Sequence, residues 1–410
     1  MEKSVRNDWV AYVGPFLFPW GQASSRRVYG QAGGLAAAGR HVVVVSGEHG
    51  RELTGLPELD GPGSVRYVGA GEIPPDGAGR LAKSVHWLLR WGARTVRWLD
   101  AQPTRPSHVV LYGGDAPYAA HLGRWCRRHR IPLVADVVDW YGPRQVPGGA
   151  LGPLYLSSQL ARRYHYPRCD GVIAISSFLA DYYRRRGLPV LQVPPTLDVR
   201  GLAVSAGPDD DGGSRLRVVY AGSPGRKDLV DTLVRAVDRV NAGAGRVELR
   251  IVGPAPEDVR RMLGGGPIPQ GVRVLGRLAQ QQVSSVLQAA DFSVLVRAEE
   301  RFTRAGFPTK FCESVANGTP VIANLTSDLG SYLRDGVEGL VCRDHSVDAL
   351  AETLWRALLL TPTDRRRMRA AARARALESF DFRAYAGPLG EFFETLRPGN
   401  RAENIPVSVG

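Results

Sequence analysis

The sequence predicts an α/β protein made of two doubly wound, parallel-sheet domains in tandem, and three observations carry that expectation. Short Val/Ile/Leu-rich runs alternate with helical stretches from end to end, the pattern of βαβ units whose strands are buried on both faces. The alternation breaks once, over 194–215 (PPTLDVRGLAVSAGPDDDGGSR), where prolines, glycines and an acidic run read as a linker. The 410 residues suit two to three domains of ~100–200 residues each.

Strands are expected in the first half at 9–14, 41–47, 66–69, 108–113, 132–139 and 171–176, with helices near 24–39, 80–100, 116–130, 152–167 and 177–187. After the linker, strands are expected at 216–222, 247–253, 272–276, 291–296, 319–324 and 339–342. Helices fall near 228–241, 256–264, 280–290, 309–317, 347–360 and 364–378, and a last aromatic-rich helix covers 383–396. The expected domains are 1–195 and 196–382, followed by the closing piece 383–410. Such sheets bind ligands at the carboxyl ends of their strands, and two facing domains make a cleft.

Composition narrows the function. The chain is 44% hydrophobic and 23% charged, with a mean hydropathy of -0.17. No uncharged apolar run reaches ~18 residues, so no transmembrane helix is expected. The first residues, MEKSVRNDWVAYVG, lack an apolar signal core, and four scattered cysteines make no CxxC pair. Both point to the cytoplasm. The net charge of +13 suits nucleic acid, an anionic membrane or phosphorylated ligands. No helix-turn-helix, zinc or RNP motif is present, so nucleic acid is not expected as a partner. Of 53 basic residues only Lys3, Lys83, Lys227 and Lys310 are lysines. In the expected helix 80–100, Arg90, Arg94 and Arg97 share a face, with Trp87, Trp91 and Trp98 as apolar bulk. That segment either lies on the inner membrane face as a peripheral contact or packs on the first sheet with its arginines outward.

Three segments carry chemistry. In YAGSPGRKD (220–228) a strand ends at Gly222, a tight turn follows, and a helix starts near Asp228. Free N–H groups at a helix start, with Arg226 and Lys227 beside them, suit a diphosphate; an ordinary βα turn with solvated charges fits the same residues. In RAGFPTKFCESVANGTPVIANLTSD (304–328), Gly306 and Pro308 hold an irregular turn. Lys310 and Glu313 follow at i and i+3 on one helix face, placed either to bind a phosphate and a sugar hydroxyl pair or to form a surface pair. In ADVVDWYGPR (135–144), Asp139 lies at a strand's carboxyl end before Trp140 and Tyr141. Its carboxylate either orients a hydroxyl or caps the next turn. No metal site is expected: Asp209, Asp210 and Asp211 sit in the linker, and the eight histidines show no ligand spacing.

These segments resemble retaining glycosyltransferases of family 4, which have the GT-B fold. Gly306, Pro308, Glu313, Gly318, Pro320, Val321 and Ile322 stand where that family has its donor-binding signature. The turn 220–228, the run 276–296 and DGVEGLVC (335–342) are similar to its neighbouring segments. The resemblance implies two Rossmann-like domains facing a central cleft, and metal-independent transfer of a sugar from a nucleotide-diphosphate donor to an acceptor hydroxyl. It implies no further cofactor. The acceptor would be sugar-bearing, a natural product or lipid-linked.

Carried over, the resemblance puts Lys227, Arg226 and Ser223 at the diphosphate and Glu313 at the ribose hydroxyls. Gly306, Phe307, Pro308, Thr309 and Lys310 line the sugar and phosphate, and Gly276, Arg277 and Leu278 border the base. Gly21 and Gln22, in the loop after the first strand, face the acceptor side with Trp140 and Tyr141. Asp139, Lys227 and Glu313 are the expected catalytic set. The final helix resembles the family's segment that crosses back to the first domain. Two positions depart from the family: Ala305 stands where a glutamate is usual, and Ser223 where an arginine is usual. An epimerase of the same fold, or a silent nucleotide-binding subunit, are the alternative readings.

Overall fold

A computed structural model describes residues 9–21, 23–74, 77, 79, 83, 86–205, 207, 215–223, 227–243 and 245–399. The side chains of Arg51 and Leu88 lie outside this description, as do Gln22, Arg226 and the Asp209–Asp211 run. The chain divides into two compact units, 1–197 with 382–410, and 198–381.

The first unit holds an eight-stranded sheet in the order β3-β4-β2-β1-β5-β6-β7-β8. Its strands are β1 (Trp9–Val13), β2 (His41–Ser46), β3 (His49–Gly55), β4 (Ser64–Ala70), β5 (His108–Tyr112), β6 (Leu133–Val137), β7 (Gly171–Ala174) and β8 (Val190–Gln192). All pairings are parallel except β3 with β4. The central strands WVAYV, HVVLY and LVADV are buried almost throughout, which β-branched and aromatic side chains favour. The helix Ala23–Ala37 crosses over from β1 to β2. Its Gly30 lies so close to the chain at Thr196 that any Cβ would collide with that residue's carbonyl. The core around Val10, Tyr12, Leu35 and Val44 is completed from the far end of the chain by Phe382, Leu389, Phe393 and Leu396.

The second unit holds a six-stranded, all-parallel sheet in the order β11-β10-β9-β12-β13-β14. Here β9 is Leu216–Ala221, β10 Val247–Val252, β11 Val272–Gly276, β12 Phe292–Leu295, β13 Val321–Asn324 and β14 Gly339–Cys342. The helix Val230–Asn241 puts Leu233, Val234, Val237 and Val240 onto this sheet at helical spacing. The helix Pro362–Ser379 starts with a reciprocal cap between Thr361 and Asp364. Each sheet is thus doubly wound.

Five local expectations need correction, the first being that the short edge strand β8 has no counterpart among the expected strands. The antiparallel edge strand β3 (HGRELTG) was not foreseen, because it lacks an apolar alternation. The helix Arg301–Ala305 was also missed, being a single turn. The strand expected over 132–139 stops at Val137, so Asp139 lies in the loop beyond it. The helix expected over 80–100 is interrupted, where described, into a π-helical turn His86–Arg90 and a helix Ala93–Asp100. Gly92, at φ +92°, separates them. Its tryptophans are half-buried: Trp87 Nε1 donates to Asp115, and Trp98 meets Trp9 edge-on. Among the described residues no helix is long and apolar enough to cross a membrane.

Candidate active site

In the second unit, β9 ends in Tyr220 and Ala221, and Gly222 follows at φ +136°. A Cβ on Gly222 would collide with Lys310 Cε, so glycine lets the lysine stem pass. Lys310 enters from the first turn of the helix Thr309–Ala316. Its Nζ donates to the Ser223 carbonyl at 3.0 Å and pairs with Asp228 Oδ2 at 2.7 Å. Arg297, just beyond β12, donates from Nε to Asp228 Oδ1 at 2.7 Å. Tyr220 Oη donates to Asp228 Oδ2 at 2.8 Å. Asn324, at the end of β13, locks the Arg297 backbone, accepting from its N–H at 2.9 Å and donating to its carbonyl at 2.8 Å. One buried carboxylate therefore gathers two cations and a phenol at the carboxyl ends of β9 and β12, where an open α/β sheet places its ligands.

The electrostatics follow from burial. Burial raises the cost of ionising Asp228, but Arg297 and Lys310 outweigh it and hold the carboxyl below its usual range. Burial lowers the Lys310 pKa; Asp228 pulls against that, while Arg297 and Lys227 add repulsion. The Tyr220 phenol is raised by burial and then by Asp228, so it stays a donor. Asp228, Arg297 and Tyr220 were not among the expected site residues. Asp228 does follow Lys227 directly in the turn motif, and that adjacency was the available signal.

The other expected donor residues fall as follows. Lys227 Nζ sits over the Phe302 ring, 4.2 Å from its centre. Ser223 contributes its carbonyl to Lys310. Glu313 is half-buried on the same helix as Lys310, one turn on. Gly276, at φ +67°, ends β11, and its carbonyl accepts from Gly253 N at 2.7 Å. Arg277 is exposed, and Leu278 packs on the small cluster around Val219 and Leu287. Gly306 and Pro308 are buried in the turn, and Pro308 is the N-cap of the helix that Thr309 opens. The Phe307 ring packs against Tyr332 and Phe380, so only its backbone is available to a ligand. Ala305 is fully buried, leaving no room there for a carboxylate side chain without repacking. Glu299 and Glu300 are exposed, and Glu300 is the N-cap of Arg301–Ala305.

In the first unit, Gly21 lies exposed at φ +114° with open space around its Cβ position, next to an exposed Trp20 that stacks on Tyr29. Asp139 Oδ2 accepts from Tyr141 Oη at 3.0 Å, and burial, then Asp139, raises the Tyr141 pKa. Trp140 is buried against Tyr182 and Phe178, a packing position within its unit. The carboxylate at the end of β6 itself is Asp136. It accepts from Arg27 Nε at 3.1 Å, Arg27 Nη2 at 2.8 Å and Tyr12 Oη at 2.5 Å, all buried. Arg27 also ties down the Val193 and Pro194 carbonyls at 2.7 Å each. Neither Arg27 nor Asp136 was singled out from sequence; an arginine in the first helix gives no sign that it points inward. Among the described residues no group of three or more His, Cys, Asp or Glu side chains is placed to hold a metal ion.

Comparison with known proteins agrees with this architecture. Residues 23–196 match the family described as "Glycosyl transferase 4-like domain", and residues 215–359 match "Glycosyl transferases group 1". A phosphatidyl-myo-inositol mannosyltransferase of Mycobacterium leprae is 28% identical over 231 residues, 55% of this chain and 59% of the relative. A GDP-mannose-dependent monoacylated alpha-(1-6)-phosphatidylinositol monomannoside mannosyltransferase of Corynebacterium glutamicum is 32% identical over 146 residues, 35% of this chain and 38% of the relative. The chain thus spans little more than half of the one and under half of the other. Among solved structures, sucrose-phosphate synthase of Thermosynechococcus elongatus superposes with a TM-score of 0.72 at 17% identity, covering 94% of this chain and 98% of that one. Anabaena HepE in complex with UDP gives 0.64 at 15% identity, covering 95% and 100%. The first unit thus matches a glycosyl transferase 4-like domain, the second matches a group 1 domain, and the two doubly wound sheets make the GT-B fold of the structures it superposes on.

Proposed function

We propose that the protein transfers a sugar from a nucleotide-diphosphate donor to an acceptor hydroxyl, with retention at the anomeric carbon and without a metal. The observation that carries this reading is the convergence of Lys227, Arg297 and Lys310 near the carboxyl ends of β9 and β12, in the unit that matches the group 1 domain. A departing nucleotide diphosphate gains charge in the transition state. Cations held in place beforehand stabilise that charge more than the bound donor's, which is what accelerates transfer. In this reading Lys227, Arg226 and Lys310, with the amides of Gly306 to Thr309, take the diphosphate. Glu313 accepts from the ribose, and Gly276 to Leu278 border the base. The first unit receives the acceptor beside Gly21, Gln22 and the Asp139–Tyr141 pair. The named relatives act on inositol-bearing lipids, and we take a polyhydroxyl acceptor, free or lipid-linked, as the class to try first.

The test uses a panel of UDP- and GDP-sugars. The wild-type chain should slowly hydrolyse one donor, and the released sugar should keep the donor's anomeric configuration by NMR. Lys227→Ala should lower turnover of that donor by at least about tenfold, as expected when a charged hydrogen bond worth ~1.5–3 kcal/mol is lost. Undiminished turnover and nucleotide affinity in Lys227→Ala would defeat the reading.

A further inference from the structure

The stretch Leu151–Tyr164 in the first unit is apolar where it should be polar. Leu151 is 88% exposed, Leu156 51% and Leu160 49%, and Leu154 and Tyr164 are exposed beside them. Large apolar side chains exposed elsewhere in the described residues are scattered, whereas these five fall within fourteen consecutive positions. The helix Pro153–Leu160 runs on into the π-helical turn Ala161–His165. Leu156, Leu160 and Tyr164 recur every fourth residue along it, so they share one face. Ala161, on the flank of that face, is buried, and Ser157 Oγ accepts from the Ala116 backbone at 3.1 Å, so the segment is docked with its leucines outward.

The exposed charge around this face is mainly positive, with Asp115 and Asp139, both half-buried, beside Arg162. The neighbouring helix segment 116–130 has four arginines, and 140–169 has four more, with no aspartate or glutamate in either. Arg124, Arg127, Arg128, Arg163 and Arg168 are exposed. Arg168 lies flat over the Tyr164 ring, 3.5 Å from its centre, which holds a cation at the margin of the apolar face. Exposed leucines rimmed mainly by exposed arginines match a surface of anionic headgroups over acyl chains. A second copy of the chain would bring the same arginines against each other, so self-association is electrostatically disfavoured.

We propose that Leu151–Tyr164 seats the protein on an anionic membrane, with Leu156 and Leu160 entering the acyl region and the arginine rim on the phosphates. This contact is additional to the one expected through 80–100, and it stands whatever the sugar donor proves to be.

The test is co-sedimentation of the full chain with phosphatidylcholine vesicles and with an equal mixture of phosphatidylcholine and phosphatidylglycerol. Wild type should partition onto the mixed vesicles and release on raising salt. Leu156→Glu/Leu160→Glu should weaken partitioning about a hundredfold, since each buried leucine is worth about tenfold or more. Arg124→Glu/Arg128→Glu should weaken it about twenty-five-fold or more, each lost cation contributing roughly fivefold. Circular dichroism melts report folding; if the glutamate pair melts early, Leu156→Ser/Leu160→Ser takes its place. Equal binding to neutral vesicles, undiminished binding of the leucine variants, or a concentration-dependent dimer without vesicle binding overturns the proposal.

Discussion

Asp228 is a buried carboxylate whose worth depends on its neighbours. Taken alone its charge would be costly in the interior; with Arg297 on one oxygen and Lys310 and Tyr220 on the other, it is fully satisfied. Its pKa is held below that of an unfolded aspartate, so its contribution to stability is complete above about pH 4 and is lost as pH falls through the lower folded value. Urea titrations of wild type and Asp228→Asn at stepped pH should therefore show a stability gap that narrows below about pH 4. A gap that stays constant down to acid unfolding would mean that the carboxylate is not ionised in the fold. Lys310 stood out in the sequence as a candidate because lysine is so rare in this chain. Its partner left only the adjacency to Lys227 as a signal, because a helix-start aspartate is usually a solvated cap.

Among the elements, the turn after β9 matters most. Gly222 has a backbone angle that only glycine adopts freely, and its missing side chain is the space through which Lys310 reaches Ser223 and Asp228. Gly222→Ala should displace the ammonium. We expect turnover to fall about a hundredfold, as for an ångström-scale misplacement, with a stability loss of only about 1–3 kcal/mol from backbone strain. Kinetics alongside urea melts check this; unchanged turnover in a stably folded variant would remove Lys310 from the machinery. A similar local cause explains the broken helix in 86–100. The 3.6-residue pattern runs through Gly92 in sequence, but Gly92 takes a left-handed angle against Tyr118, and the pattern resumes out of phase. Periodicity could place apolar residues but could not detect that turn.

For the molecule as a whole, the chain end is part of the beginning. Phe382, Leu389, Phe393 and Leu396 pack among Val10, Tyr12 and Leu35, whereas 198–381 has a core of its own. Removing 382–410 would strip four large apolar side chains from the first unit, at roughly 1.5–3 kcal/mol each. That sum rivals a domain's entire stability of about 5–15 kcal/mol. Limited proteolysis of the truncated chain should digest the first unit and leave a fragment close to 198–381. Persistence of both units would show that the closing helix is dispensable.

The sequence by itself determined the alternation of strand and helix and the break near 200, and it singled out the segments proposed to bind the donor. These are local patterns: β-branched runs, helical spacing, and glycine and proline at turns act within a few residues of where they are read. Tertiary structure alone decided which charges meet. Arg27 with Asp136, and Lys310 and Arg297 with Asp228, are joined across 69 to 109 positions. Whether a charged side chain turns inward depends on a partner waiting in the core, because burial without one costs more than a fold can supply. The same holds in reverse for Leu156 and Leu160, whose exposure no apolar periodicity could announce.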